Sequence, residues 1–94
     1  MIQSYRDRRT TRFAEGELVR EFSGFARPAE ARLDRLDAAG AISDLAALPG
    51  NRLEMLRGDR KGQWSIRIND QWRICFEWPG GSLGPTNVEI VDYH

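Results

Sequence analysis

Residues 63–78, QWSIRINDQWRICFEW, read as two strands of an antiparallel hairpin with one apolar face. In the first half Trp64, Ile66 and Ile68 alternate with Ser65 and Arg67. In the second half Trp72, Ile74, Phe76 and Trp78 alternate with Arg73, Cys75 and Glu77. A period of two is the mark of a half-buried strand, because successive side chains point to opposite faces of the sheet. Asn69 and Asp70, between the two runs, suit a tight turn. The apolar face of such a hairpin must be covered by something else in the chain.

Working outward, the period of two extends in both directions. RLEML (52–56) precedes the hairpin as a candidate strand, PGGSLGPT (79–86) makes a looser connection, and NVEIVDYH (87–94) forms a last strand. MIQSY (1–5) is a further short candidate. The cover lies upstream. TTRFAEGE (10–17) predicts a short helix that turns Phe13 to the core and ends near Gly16. RPAEARLDRLDAAG (27–40) predicts a longer helix, with Pro28 in its first turn, Leu33 and Leu36 at helical spacing, and Gly40 closing it. SDLAALPG (43–50) adds one more turn, begun by Ser43 and stopped at Pro49. The expected fold is α+β: a small antiparallel sheet of about four strands with N-terminal helices on its apolar face, in one domain over residues 1–94. Arg67 and Arg73 are expected on the open side, and Arg32 and Arg35 on a packing helix.

The 94 residues hold 14 basic and 14 acidic side chains, so the formal net charge is zero. That balance argues against a protein that holds nucleic acid by bulk electrostatics. The distribution is less even, since Arg52, Arg57, Arg60, Lys61, Arg67 and Arg73 outnumber Glu54, Asp59 and Asp70 between positions 52 and 73. Guanidinium forks suit bidentate phosphate binding and stacking on bases. No apolar run approaches the roughly 20 residues of a membrane span, and the first residues lack the apolar segment of a secretory signal. The single Cys75 rules out an internal disulfide, and a cytoplasmic location is the expectation.

One histidine, one cysteine and scattered carboxylates offer no metal-ligand spacing, and GDRKGQWS (58–65) lacks the form of a phosphate-cradling loop. Neither a metal nor another cofactor is expected. Cys75, in the middle of an aromatic strand, reads as a core residue. RNA cleavage suits what remains, because the 2′-hydroxyl of RNA is itself the nucleophile. A protein need only orient the backbone, move protons and offset charge on the phosphoryl oxygens. His94, the only histidine, is suited to proton exchange near neutrality, Tyr93 to stacking or proton transfer, and Asp92 to orienting a neighbour. Arg57 and Arg73 suit the scissile phosphate. The plain alternatives are a solvated or tag-derived terminal histidine, a core-capping Tyr93, and an Asp92 that accepts a hydrogen bond from Arg67 or Arg73.

NRLEMLRGDRKGQWSIRINDQWRICFEW (51–78) followed by NVEIVDYH (87–94) resembles the HigB branch of the RelE/ParE toxin superfamily, also called plasmid maintenance system killer proteins. The likeness begins at MIQSYRD, continues through DAAGAISDLAALPGNRLEMLRGDR, and is most specific in GDRKGQWSIRINDQWRI and the DYH ending. It implies a microbial-ribonuclease-like α+β domain. It also implies a ribosome-dependent, metal-independent endoribonuclease, an mRNA interferase that cuts mRNA in the ribosomal A site and stops translation. The implied partners are the ribosome with its mRNA and a cognate helix-turn-helix antitoxin of HigA type. Operator DNA is reached only through the toxin–antitoxin complex, and no membrane is involved. Carried over by position, the resemblance assigns catalytic or phosphate-binding roles to Asp92, Tyr93, His94, Arg57 and Arg73.

The departure is Glu54, where some members hold a catalytic histidine, and Arg57 stands where they hold a lysine. A carboxylate at 54 is repelled by phosphate unless it acts as a base or pairs with an arginine such as Arg52. The expectation is a weaker or differently tuned nuclease, with Glu54 kept among the candidate catalytic residues. Arg57 stays protonated, so its expected task is phosphate binding rather than proton donation. Two other readings stand beside this one: a superfamily member that inhibits DNA gyrase, and a degenerate toxin that serves as an antitoxin-binding co-repressor.

Overall fold

The computed structural model describes residues 1–93, with helices gathered in the first half of the chain and strands in the second. Helix α1 (Arg8–Ala14) begins earlier than its apolar pattern predicts, because Asp7 caps it by accepting from the Thr10 amide at 3.1 Å. It ends where Gly16 takes a positive φ of 91° and donates to the Phe13 carbonyl. A 3-10 stretch, Arg20–Phe25, then leads directly into α2 (Ala26–Ala38). The short α3 (Ile42–Ala46) and a 3-10 turn at Pro49–Asn51 complete the helical half.

Four strands follow, β1 (Glu54–Met55), β2 (Trp64–Arg67), β3 (Trp72–Glu77) and β4 (Thr86–Asp92), in the antiparallel order β1-β2-β3-β4. The expected α+β architecture is thus observed. Ile66 pairs with Ile74, and Ile74 with Ile90, so the three share one sheet face, and all are fully buried. Leu33, Leu36 and Ala29 of α2, Phe13 of α1 and Phe22 pack on that face. Phe22 meets Phe13 edge-on at 5.4 Å and Trp72 at 5.8 Å, which ties α1, the 3-10 stretch and β3 together.

The structure differs from the sequence reading at three places. The hairpin register brings Arg67 opposite Arg73, and the Ile68 amide donates to the Trp72 carbonyl, which leaves residues 69–71 as a three-residue loop rather than a two-residue turn. Asn69 shapes it by accepting from the amides of Gln71 (2.9 Å) and Trp72 (2.7 Å). The first strand shrinks to Glu54–Met55, because Arg52 enters the left-handed region at φ 45° and a 3-10 turn starts at Gly58. MIQSY is not a strand. It lies parallel to β4 through a single bridge, Tyr5 to Val88, because the Asn87 amide donates to the Ser4 hydroxyl rather than to backbone.

That N-terminal segment nevertheless occupies the outer side of β4. Arg6 donates to the Val88 carbonyl, and Val88 returns a bond to the Ser4 carbonyl. Further along, the Ile90 amide donates to the buried Thr10 hydroxyl at 3.0 Å and its carbonyl accepts from Arg9 Nη2 at 3.4 Å. Gly84 lets the chain start pass close by, since a β-carbon there would overlap the Met1 carbonyl. Among the described residues no helix is long and apolar enough to cross a membrane.

Thr10→Val keeps the shape of the buried side chain and leaves the Ile90 amide without its acceptor. Urea denaturation is expected to show a loss of about 1–3 kcal/mol, with Thr10→Ser retaining most of the stability.

Candidate functional site on the helix-free sheet face

With the isoleucines turned to the helices, alternation sends Ser65, Arg67, Arg73, Cys75 and Glu89 to the opposite face. Glu54 joins them through its pairing with Ser65. The middle of that face is not open as expected. Ser65 and Cys75 are fully buried and Glu89 is nearly so, because arginine side chains roof them. Arg60 Nη1 donates to Glu89 Oε1 at 2.8 Å and to Gln63 Oε1 at 3.0 Å, while Arg6 reaches Glu89 and Glu77 at 3.6 and 3.4 Å. The Glu89 bond, opposed by desolvation, holds Arg60 above its usual titration range. For Cys75, burial is the dominant effect and pushes the thiol up to about 11.

Arg73 is built into the sheet by the same roof. Its Nε donates to Ser65 Oγ at 2.7 Å and its Nη2 to the Arg52 carbonyl at 2.6 Å, so the arginine pins the left-handed turn that leads into β1. Arg67 stands directly opposite, and a like-charged cross-strand pair is unfavourable unless each member has other partners. Arg67 has one in Asp70. Nη1 of Arg73 makes no hydrogen bond to the described residues, so part of its fork remains available to a ligand.

Beside the roof lies a groove in two lobes. One, of about 380 Å³, is lined by Arg52, Glu54, Arg67, Asn69, Asp70, Arg73 and Tyr93. The other, of about 360 Å³, is lined by Glu54, Met55, Leu56, Arg57 and Tyr93. Glu54 and Tyr93 belong to both and mark the junction. The Tyr93 ring lies 6.0 Å from the Arg60 guanidinium carbon, and its amide donates to the Gln71 carbonyl at 3.0 Å, which fixes Tyr93 beside the hairpin loop.

Of the sequence-predicted residues, Glu54, Arg57, Arg73 and Tyr93 therefore converge. Asp92 does not join them: its register partner is Trp72, on the helix-covered face, and it accepts from Gln71 Nε2 at 2.8 Å. His94 lies outside the described residues. Pairing with Arg52, one of the two alternatives open to Glu54, is not made: no ion pair joins Glu54 to any described residue. Sequence reading missed Arg52 as a groove residue and Arg60 as the support of Tyr93. Arg60 was visible only as a member of a basic run, and Arg52 only as a member of that run and as a possible partner of Glu54. Arg32 and Arg35 point to structure instead, donating to the Arg67 carbonyl at 3.0 Å and to Asn51 Oδ1 at 3.1 Å. Burial, reinforced by Arg35 and Arg67, lowers the Arg32 titration range.

A family model described as the RelE-like toxin of the type II toxin-antitoxin system HigB matches residues 3–94. The chain belongs to the HigB-like toxin family. Among curated proteins it is similar to Toxin HigB-1 of Vibrio cholerae serotype O1, 54% identical over 62 residues covering 66% of this chain and 65% of the relative. It is also similar to Endoribonuclease HigB of Proteus vulgaris, 38% identical over 63 residues covering 65% of this chain and 66% of that protein. The chain thus spans just under two thirds of the length of these HigB relatives. A solved YoeB/ParE toxin from Agrobacterium tumefaciens aligns with a TM-score of 0.41 at 20% identity, covering 79% of this chain and 86% of that one.

Two outcomes follow from the roof of this HigB-like sheet. Arg73→Ala strands the buried Ser65 hydroxyl and frees the Arg52 turn, so chemical denaturation is expected to show a loss of about 1–3 kcal/mol apart from any effect on activity. Cys75 is expected to resist alkylation in the folded protein at pH 8 and to react on unfolding. Because its folded value, about 11, exceeds the ordinary 9.0, its contribution to stability is full below that ordinary value. It is lost as pH rises through the folded one, which denaturation series between pH 8 and 11 will record.

Proposed function

We propose that this HigB-like chain is the toxin of a type II toxin–antitoxin pair, acting as a ribosome-dependent, metal-independent endoribonuclease on mRNA in the ribosomal A site. The observation that carries the reading is the groove itself, where Arg52, Arg57 and Arg73 gather beside Tyr93 at the end of the chain. Arginines and an aromatic residue lining one groove suit a segment of RNA backbone with one base drawn out of its stack.

In the proposed reaction the 2′-oxygen attacks the adjacent phosphorus and the bond from phosphorus to the 5′-oxygen breaks. The products are a 2′,3′-cyclic phosphate and a 5′-hydroxyl. The 2′-hydroxyl proton passes to solvent water, and His94 is the proposed donor of the proton that the departing 5′-oxygen gains. Arg57 and the free edge of Arg73 offset the charge that builds on the phosphoryl oxygens. Tyr93 holds a base face, with Arg60 bracing its ring. Asp92, turned to the other face, acts at one remove by holding Gln71, whose carbonyl receives the Tyr93 amide.

The zero net charge supports dependence on the ribosome. A protein that captures free RNA relies on a broad positive field, whereas a local arginine cluster is enough once ribosomal RNA presents the substrate. The same reading places the protein in the cytoplasm. Its proposed partner is a helix-turn-helix antitoxin of HigA type, through which the complex reaches operator DNA.

Purified protein without a C-terminal tag is expected to cut a defined mRNA only when programmed ribosomes are present, as mapped by primer extension. Arg57→Ala, whose removed side chain makes no hydrogen bond or ion pair with the described residues, is expected to cut about 100-fold more slowly at an unchanged melting temperature. Removal of His94 is expected to abolish cleavage. Absence of cutting with and without ribosomes would overturn the assignment and leave a binding role, as a DNA gyrase inhibitor or as a degenerate toxin serving as antitoxin-binding co-repressor, as the alternative.

A further inference from the structure

Among the described residues two carboxylates line the groove, and only one of them is neutralised. Asp70 is held by Arg67, whereas Glu54 is exposed and joins no ion pair with a described residue, although Arg52, Arg57 and Arg73 line the same lobes. Its direction is set by the sheet: the pairing of Glu54 with the buried Ser65 sends the side chain off the groove face, where it shares both lobes with Tyr93.

An ionised carboxylate only accepts hydrogen bonds, so the phosphates of RNA cannot use it, and the N–H donors of the bases can. The four bases differ sharply in what they offer such a group. Guanine presents two neighbouring donors on its Watson–Crick edge, N1–H and N2–H₂, at a spacing that matches two carboxylate oxygens. Adenine and cytosine place one amino donor beside a ring-nitrogen lone pair, which repels the second oxygen. Uracil flanks its single N3–H with two carbonyls.

We propose that Glu54 is a guanine-reading residue: the carboxylate accepts N1–H and N2–H₂ of a base whose face lies on Tyr93, while the neighbouring arginines hold its phosphates. This rests on the RNA-cleaving reading above and adds base selection to it. Single-stranded bases are read in this manner, by stacking on an aromatic ring with hydrogen bonds to the Watson–Crick edge.

The test maps cut sites on a random-sequence mRNA library over programmed ribosomes, for the intact protein and for Glu54→Gln. It is paired with NMR titration of both proteins by the four ribonucleoside 3′-monophosphates. The intact protein is expected to enrich guanine at one position of the cut site by roughly 5- to 150-fold, the discrimination of one bidentate base contact. In Glu54→Gln that enrichment disappears and passes to adenine or cytosine, because an amide offers one donor and one acceptor. Cutting without guanine enrichment, or enrichment that survives the substitution, overturns the inference and leaves the nuclease reading intact. If neither protein cuts, the nuclease reading fails and the titration decides. Guanosine-selective shifts around Tyr93 that vanish in Glu54→Gln uphold base reading, and equal responses to all four nucleotides overturn it.

Discussion

Strand alternation leaves this chain little choice once Ile66, Ile74 and Ile90 are buried. Each isoleucine sent beneath the helices sends its neighbours Ser65, Arg73, Cys75 and Glu89 to the other side, in the middle of a sheet only four strands wide. Those neighbours are short or polar and cannot form a second apolar layer. The arginines solve the problem by lying flat over them, so that buried hydroxyl and carboxylate groups receive donors. No buried side-chain nitrogen or oxygen is left without a partner among the described residues.

The roof and the groove are made of one set of residues. Arg73 secures Ser65 and the Arg52 turn, and with part of the same fork it faces the groove. Arg60 neutralises Glu89 and lies against Tyr93. Substitution at either position therefore alters the sheet as well as the surface, whereas Glu54 and Arg57 are carried on short exposed segments whose side chains hold nothing else together. This division separates residues that hold the groove together from residues that only line it.

The hairpin, the long helix and the split of the sheet into two faces could be read from periodicity, because apolar residues alternate from Trp64 to Ile68 and again from Trp72 to Trp78, and Leu33 and Leu36 keep helical spacing. Boundaries that depend on a side chain accepting from a nearby amide were less legible. Asp7 starts α1 early, Asn69 widens the hairpin loop, and Ser4 diverts Asn87 from regular pairing. The 3-10 stretch Arg20–Phe25 has no repeating pattern that would announce it. Within the groove, resemblance supplied Arg57, Arg73 and Tyr93, while Arg52 and Arg60 required coordinates. Their roles come from a left-handed turn and an ion pair 29 residues away in sequence, and neither leaves a local signal.

β4 completes the sheet, and its outer side would ordinarily present a row of free backbone groups to any passing strand. Here the first ten residues occupy that row: Ser4 and Arg6 bond to Val88, and Arg9 and Thr10 bond to Ile90. The cover mixes backbone with side-chain partners, so it seals the edge without offering a regular strand edge of its own. At the opposite side, two-residue β1 is too short to template further pairing. The sheet is thereby closed to edge-to-edge pairing with copies of itself, and on the long side that protection resides in a segment far from β4 in sequence.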